Sequence, residues 1–285
     1  MKQFPKFGPG GNSDAFYAAG LKSSHQAPAW IASIGLDAYE YQAGNGLNAG
    51  PKALTAIGEA AREANIQMSI HAPYFISLSG VIPEKRLGSI RYIRQSLEAA
   101  ELLGAYLTVV HTGSAAKISR REAVDLAKDT LSHLLEEVPD NGVLIGLETM
   151  GKINQLGTLD EVIELCTLSP RLVPVVDFGH LNARECGGVF PDKDSYKRVF
   201  DRIGTALGDD VARNLHCHFS RIEWTSGGEK RHLTFADKVY GPDHEPLMAA
   251  IAEERLTPTL ISESAGTMSD DAFTMKKCYE RMLNK

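Results

Sequence analysis

Six short apolar runs of the sequence end in histidine, aspartate or glutamate, or are followed at once by one of these residues. In 171-RLVPVVDFGHLNA-183, for example, Asp177 closes an apolar run and His180 follows three residues later. Imidazole and carboxylate ligands without thiolates suit zinc, manganese or iron(II) better than calcium. The residues concerned are His71, His111, Glu148, Asp177, His180, His216, His218 and Glu263. Their types and places predict a metal site.

The elements that must position these residues alternate regularly along the chain. β-Branched runs predict strands at 4–10, 38–43, 67–73, 106–113, 143–150, 172–179, 214–220 and 257–264. Amphipathic segments predict helices at 25–35, 51–65, 83–104, 119–138, 158–168, 192–207, 244–254 and 269–283. This repeated strand and helix order predicts an α/β protein, a single (β/α)8 TIM barrel over residues 1–285. A doubly wound open sheet is the main alternative, and the lack of a G-x-G-x-x-G turn disfavours it.

A barrel of this kind would bring the candidate ligands together. The C-terminal ends of its strands face one mouth, where the active sites of such barrels lie. Several carboxylates pointing into one mouth would repel each other and lose hydration unless cations neutralised them. More than four candidate ligands also exceed the number that one tetrahedral ion binds. We therefore expect two or three transition-metal ions, and closely spaced divalent ions are typical of hydrolysis at phosphorus.

Composition and charge exclude several other classes of protein. The chain is 43% hydrophobic and 23% charged, and its formal net charge of −6 leaves no basic surplus for binding phosphate. Its four cysteines lie far apart without a C-x-x-C pair, which argues against a disulfide framework or a thiolate zinc site. No segment has the apolar core of a signal peptide or the roughly 20 apolar residues of a membrane span. We expect a cytoplasmic protein that contacts no membrane.

Six motifs of the chain resemble those of a known family. They are SIHAPY (69–74), VVHTGS (109–114), LETM (147–150), VDFGH (176–180), LHCHFS (215–220) and SES (262–264). In order and spacing they resemble the endonuclease IV family of apurinic/apyrimidinic endonucleases, from the third predicted strand to the last. The resemblance implies a TIM barrel with three zinc ions. Its activity would be cleavage of DNA on the 5′ side of an abasic site, in base excision repair.

The resemblance also implies a role for most of these residues. The implied metal ligands are His71 and His111 for one ion, Glu148 as the bridge to a second, Asp177, His216 and Glu263 for that second ion, and His180 for the third. Glu148 and Glu263 would act in catalysis, and Tyr74 would contact the displaced abasic nucleotide. Position alone predicts two further substrate contacts, His218 and Arg221. His218 lies on the same strand face as His216 and could be a ligand in its place.

Two segments depart from the family pattern. The family completes its third zinc site with an Asp-x-His pair, where this chain reads 227-GGEKRHLTF-235. Glu229 and His232 are the expected substitutes, although they are one residue further apart. After the second strand, 41-YQAGNGLN-48 contains no Arg, Lys or Trp. Family members carry there a longer basic and aromatic loop that penetrates DNA, so this departure weighs against DNA as the substrate.

The main alternative function is a sugar isomerase or epimerase of the xylose isomerase-like barrels. Such enzymes hold one divalent ion, for which this chain offers Glu148, Asp177, His216 and Glu263, and move a proton on a small sugar. Those four residues do not separate the two hypotheses. The surplus set, His71, His111, His180 and His232, favours the endonuclease. A barrel that only binds and does not catalyse is the weakest hypothesis, because an idle cluster of buried carboxylates would be destabilising.

Overall fold

Eight parallel strands form the wall of a barrel, at the eight places predicted from the sequence. A computed structural model of the protein describes residues 4–283. The strands of this part are β1 (Lys6–Pro9), β2 (Ala38–Gln42), β3 (Gln67–His71), β4 (Leu107–His111), β5 (Leu144–Glu148), β6 (Leu172–Asp177), β7 (His216–Phe219), β8 (Arg221–Thr225), β9 (Gly228–Leu233) and β10 (Thr259–Ser262). All except β8 and β9 belong to the wall, in the order β1-β10-β7-β6-β5-β4-β3-β2. Each neighbouring pair is parallel, which confirms the predicted (β/α)8 barrel.

The barrel closes where β1 meets β2, through a few hydrogen bonds rather than a full ladder. The main-chain nitrogen of Asp37 donates to the carbonyl oxygen of Phe7, and that of Gly11 donates to Glu40, both at 2.9 Å. The two strands approach so closely that a Cβ atom on Gly8 would lie 1.8 Å from the carbonyl oxygen of Ala38. Only glycine fits at this position.

We predict that Gly8→Ala lowers the free energy of unfolding by about 2–3 kcal/mol, because the added methyl group forces the closing strands apart. Urea denaturation followed by circular dichroism measures the change. The matched control is Gly88→Ala, at a helical position where an added Cβ meets nothing within 4 Å. That control is expected to raise the free energy of unfolding by about 0.5–1 kcal/mol. Equal effects of the two substitutions would contradict this account of the closure.

The helices surround the wall. Those of the described chain are α1 (Asp14–Ala18), α2 (Ala27–Ser33), α3 (Pro51–Glu63), α4 (Pro83–Leu103), α5 (Arg120–Glu137), α6 (Leu159–Cys166), α7 (Phe178–Arg184), α8 (Lys193–Leu207), α9 (Asp209–Arg213), α10 (His244–Glu254) and α11 (Met268–Leu283). The eight predicted helices correspond to α2 to α6, α8, α10 and α11. A capping box of Thr158 and Glu161 opens α6, and Pro51 and Pro83 open α3 and α4. The short helices α1, α7 and α9 were not predicted. No helix within residues 4–283 is long and apolar enough to cross a membrane.

The interior of the barrel is apolar on one side and polar on the other. Alternate residues of a strand face the same side. On β4 and β6 these positions carry Leu107, Val109 and Val175, which form an apolar cluster separate from the main core. The buried polar residues of β2, β3 and β7 include Glu40, Ser69, His216 and His218. The polar side of the interior therefore continues below the mouth, toward the middle of the barrel.

Candidate metal centre

A cavity of about 560 Å³ opens at the C-terminal ends of the barrel strands. Seven predicted metal ligands line it: His71, His111, Glu148, His180, Glu229, His232 and Glu263. The side chains come from β3, β4 and β5, from α7, from the β8–β9 hairpin and from the segment after β10. The structure thus brings together residues that are up to 192 positions apart, from His71 to Glu263.

The candidate ligands of the mouth fall into three neighbouring groups, two of which share Glu148. Within each group the ligand atoms lie within 4.8 Å of one another. The groups are His71, His111 and Glu148; then Glu148, Asp177, His218 and Glu263; and finally His180, Glu229 and His232. Glu148 belongs to two of them, as the sequence predicted for a bridging ligand.

In the first group, two histidines converge on one carboxylate oxygen. Nε2 of His71 and Nε2 of His111 lie 3.4 and 3.1 Å from Oε2 of Glu148. Nδ1 of His71 lies 2.8 Å from the carbonyl oxygen of Ala72. Because a carbonyl oxygen only accepts, Nδ1 carries a proton, and Nε2 is the nitrogen that would bind an ion beside Glu148.

The second group contains a buried carboxylate oxygen without a hydrogen bond, which lies 3.5 Å from Nδ1 of His180. Nδ1 of His218 lies 2.9 Å from Oε1 of Glu148 and 3.5 Å from Oε1 of Glu263. Asp177 is fully buried; its Oδ1 accepts from the main-chain nitrogen of His180, whereas Oδ2 has no hydrogen bond. An unpaired buried carboxylate oxygen is costly unless a cation or donor meets it. The second group therefore fits a metal ion, because its ligand types suit one and because Oδ2 of Asp177 has no hydrogen-bond donor.

The third group is built by a hairpin that the sequence analysis did not predict. Strands β8 and β9 pair antiparallel directly after β7, and β9 carries Glu229 and His232 toward His180. Nε2 of His180 lies 3.5 Å from Oε2 of Glu229, and Nδ1 of His180 lies 2.9 Å from the carbonyl oxygen of Thr149. Nδ1 of His232 lies 2.8 Å from the hydroxyl of Ser220. Each histidine is thus held by one nitrogen, and the other is turned toward Glu229.

Histidines and carboxylates at the mouth shift each other's pKa. Burial by itself raises the pKa of Glu148, but the charge of His218 and hydrogen bonds from its other neighbours hold that pKa well below its usual range. Burial opposes protonation of His180, yet the carboxylates of Asp177 and Glu229 raise its pKa to about 9. The mouth of the barrel therefore demands positive charge, which divalent cations at these ligands would supply.

The structure corrects the predicted role of His216. We expected it beside Asp177 and Glu263, but it lies deeper in the barrel, where Nε2 contacts Oε2 of Glu40 at 3.0 Å and Nδ1 contacts the hydroxyl of Tyr106 at 2.7 Å. His218 occupies the expected place. Both histidines face inward because they are two residues apart on β7. Their depth depends on the stagger between strands, and the sequence does not show that stagger.

Arg221 does not contact the cavity, which corrects its prediction as a substrate contact. Its Nη1 donates to the carbonyl oxygen of Tyr240 at 2.6 Å, and its Nη2 pairs with Asp243. Both partners lie in the segment before α10, so the guanidinium is used in holding that segment. Arg120 and Arg121, which follow β4, are also paired, with Glu161 and Glu164. Among the described residues, only one Lys or Arg lines the cavity, Lys152.

Tyr74, the predicted contact of the abasic nucleotide, stands at the rim of the cavity. Its side chain is half-exposed, and its hydroxyl donates to Oε1 of Gln42 at 3.0 Å. Its ring stacks on that of His111 with centroids 5.4 Å apart. Gly44 leaves room for the ring, since a Cβ there would lie 2.1 Å from it.

Glu40 and Gln42 were missed by the sequence analysis, although the alternation in 38-AYEYQ-42 places both on one face of β2.

The chain belongs to the xylose isomerase-like TIM barrel family, because the sequence profile of that family matches residues 28–272. The family consists of enzymes. An uncharacterized protein of Methanocaldococcus jannaschii is 30% identical over 220 residues, which are 76% of this chain and 78% of that protein. A protein of Enterococcus faecalis named probable endonuclease 4 is 29% identical over 196 residues, 66% of this chain and 62% of that protein. The resemblance to the endonuclease IV family is thereby confirmed, because the chain is similar in sequence to proteins named probable endonuclease 4.

Two solved structures share the fold over nearly the whole chain. A D-tagatose 3-epimerase-like protein has a TM-score of 0.73 at 21% identity and covers 98% of each chain. Endonuclease IV from Thermus thermophilus has a TM-score of 0.66 at 19% identity; the match covers 98% of this chain and 99% of that one. At these identities the likeness is one of fold, and the two structures represent the two functions predicted from the sequence.

Proposed function

We propose that the protein is a metal-dependent phosphodiester hydrolase of the endonuclease IV type, which cleaves DNA on the 5′ side of abasic sites. The presence of three ligand groups instead of one carries this proposal. A barrel that polarises a sugar through one ion needs only the group of Glu148, Asp177, His218 and Glu263. The histidines of the first and third groups would then have no function. Relatives named probable endonuclease 4 support the same class.

The ligands present fit zinc best, with manganese or iron(II) as alternatives. When bound, such ions would supply Lewis-acid activation at phosphorus and neutralise the charge that develops on the leaving oxygen. Glu148 would hold two of the ions, because Oε2 faces His71 and His111 while Oε1 faces His218.

Glu263 would move a proton during hydrolysis. It lines the cavity, and Oε1 lies 3.5 Å from Nδ1 of His218. Burial raises the pKa of Glu263 above its usual value, although the neighbouring His218 opposes the shift. A carboxylate whose pKa lies closer to neutrality is better suited to accepting a proton from an attacking water and releasing it again.

Recognition of the substrate would differ from that of the family. Tyr74 would face the abasic nucleotide, with its ring held by His111 and its hydroxyl by Gln42. Lys152 is the one basic side chain of the described residues that lines the cavity, and the segment 41–48 has none. Few phosphate contacts imply weak binding with little dependence on salt. We expect DNA to be held mainly through the metal centre.

A sugar isomerase or epimerase is the second candidate function, and the size of the cavity favours it. A volume of about 560 Å³ lies in the range of small-molecule pockets. Glu148 and Glu263 both reach His218, so two carboxylates flank one possible ion. Such a pair could remove a proton from one face of a ketose and return it on the other. A small sugar would then be the natural partner of the site.

A cleavage assay separates the two functions. Zinc-loaded protein is incubated with a labelled duplex that contains one abasic site, and with the same duplex undamaged. We expect a nick on the 5′ side of the abasic site with a 3′-hydroxyl product, no nick in the control duplex, and loss of activity with a chelator. The same preparation is mixed with D-tagatose and D-fructose and followed by NMR. Interconversion of ketoses without any nick would refute the nuclease and establish the epimerase.

The metal content is a separate prediction. Protein reconstituted with zinc and freed of excess ion is expected to retain two or three ions per chain, because three ligand groups lie side by side at the mouth and two of them share Glu148. Elemental analysis of the desalted protein gives the number. One ion per chain would favour the epimerase. No bound ion, together with no activation by zinc or manganese, would refute a metal centre at the mouth of the barrel.

A further inference from the structure

A fourth group of buried ionisable side chains lies beneath the metal centre. Its middle is Glu40, which is fully buried inside the barrel. Oε2 of Glu40 accepts from the hydroxyl of Ser69 at 2.9 Å and from Nε2 of His216 at 3.0 Å. Oε1 accepts from Nε2 of Gln42 at 3.2 Å and lies 3.1 Å from Nε2 of His218. Both carboxylate oxygens are therefore engaged, and the proposed reaction uses neither.

His218 stands between Glu40 and the second ligand group. Its Nδ1 faces Glu148 at 2.9 Å, and its Nε2 faces Glu40 at 3.1 Å. The contact between Nε2 of His218 and Oε1 of Glu40 does not have the angles of a hydrogen bond, so it is an ionic contact. A carboxylate behind a metal-binding histidine keeps the proton on the far nitrogen and fixes the ring, and it strengthens binding at the near nitrogen.

The group is better explained by hydrogen bonding than by a further ion. Nε2 of His216 carries the proton that it donates to the carboxylate of Glu40, and Nδ1 lies 2.7 Å from the hydroxyl of Tyr106, so both ring nitrogens are engaged in hydrogen bonds. A nitrogen that carries a proton cannot bind a metal ion. Below Tyr106, Gln67 donates to Thr259 at 2.7 Å, so the polar network reaches the lower end of the barrel. Glu40 is thus anchored from below while it faces His218 above.

We propose that Glu40 is a positioning residue: it holds the proton of His218 on Nε2 and so presents Nδ1 to an ion bound with Glu148, Asp177 and Glu263. This inference rests on the metal-binding part of the proposed function and is independent of the substrate. It also explains a fully buried carboxylate that the proposed reaction does not use.

The test is metal binding by the full chain, with and without the carboxylate. Cobalt(II) and zinc are titrated into metal-free wild-type protein and Glu40→Gln, by calorimetry and by the visible absorption of cobalt. Glu40→Gln is expected to bind one ion about 10- to 100-fold more weakly and to leave the others unchanged. In zinc-loaded protein, a long-range ¹H–¹⁵N spectrum should show the His218 proton on Nε2 in the wild type and a mixture of forms in the variant.

The matched control is Tyr106→Phe, which breaks the same buried network but leaves Glu40 against His218. It is expected to lower the melting temperature of the metal-free protein without changing the affinity for any ion. If Glu40→Gln fails to fold, Glu40→Asp serves instead, since the shorter side chain withdraws the charge from His218 and should weaken the same ion.

Several outcomes would overturn the proposal. Equal affinities and spectra of the wild type and the Glu40 variants would overturn the role of Glu40 and leave the metal centre intact. A wild-type protein that binds no ion would overturn the metal centre and the role of Glu40 together. An additional ion that only the Glu40 variants lose, with the other affinities unchanged, would show that Glu40 is itself a ligand. An equal loss of affinity in Tyr106→Phe would reduce Glu40 to a structural role.

Discussion

Replacing Glu148 by glutamine is expected to lower metal-dependent turnover by about 10³-fold or more while the barrel stays folded. Oε1 and Oε2 of Glu148 face different ligand groups, so the substitution weakens two ions at once. Glutamine keeps the shape of the side chain but removes the negative charge that would balance two cations. The measurements are single-turnover cleavage, metal content after desalting, and circular dichroism of the same preparation.

The control for Glu148→Gln is Glu63→Gln, the same chemical change at an exposed position near the end of α3. Wild-type turnover and metal content are expected for this control. Turnover near normal in Glu148→Gln would show that another residue joins the ligand groups. A folded variant with normal metal content but no turnover would place the role of Glu148 in proton transfer rather than in metal binding.

The barrel and most of its site were predictable because both depend on short-range patterns. Strands such as β4 and β6 appear as apolar runs, and the residue that ends each run faces the mouth once the barrel closes. His71, His111 and Glu263 could therefore be predicted without any knowledge of contacts. The motifs then supplied the order in which these residues occur.

The features that could not be predicted depend on geometry between strands. His216 and His218 share one face of β7, and only the register against β6 and β10 decides which of them reaches the mouth. Helix α7 was missed because Asp177, the last residue of β6, is also the cap that starts the helix. Glu40 was missed because it lies one layer below the strand ends, where polar side chains are uncommon in barrels.

The hairpin of β8 and β9 was missed for another reason. Its strands are partly exposed, and charged residues such as Glu223 and Arg231 pair across them. The alternation of apolar and polar residues is therefore weak, and the segment 227-GGEKRHLTF-235 was interpreted as a loop. The prediction that Glu229 and His232 complete the third group came from the resemblance and from the residue types alone. The structure places both against His180.

The third ligand group separates the two proposed functions most sharply. Phosphodiester cleavage leaves negative charge on an oxygen of the sugar, and an ion held by His180, His232 and Glu229 would stabilise that charge. An isomerase or epimerase expels no leaving group. We expect His180→Ala or His232→Ala to slow the chemical step of DNA cleavage about 10²- to 10³-fold, that is, by roughly 3–4 kcal/mol. Each variant should also lose one bound ion.

The control for these variants is His133→Ala, because His133 is a partly exposed histidine of α5 whose ionic contact is with Asp129 of its own helix, at 3.8 Å. Its cleavage rate and metal content should equal those of the wild type. A normal cleavage rate in His180→Ala and His232→Ala, with metal content unchanged, would refute a third ion. If the same variants also kept full activity on a ketose, the group of Glu148, Asp177, His218 and Glu263 would suffice for catalysis. The epimerase would then be the better account of the site. That group alone could hold the one ion, and supply the two carboxylates, that an epimerase needs.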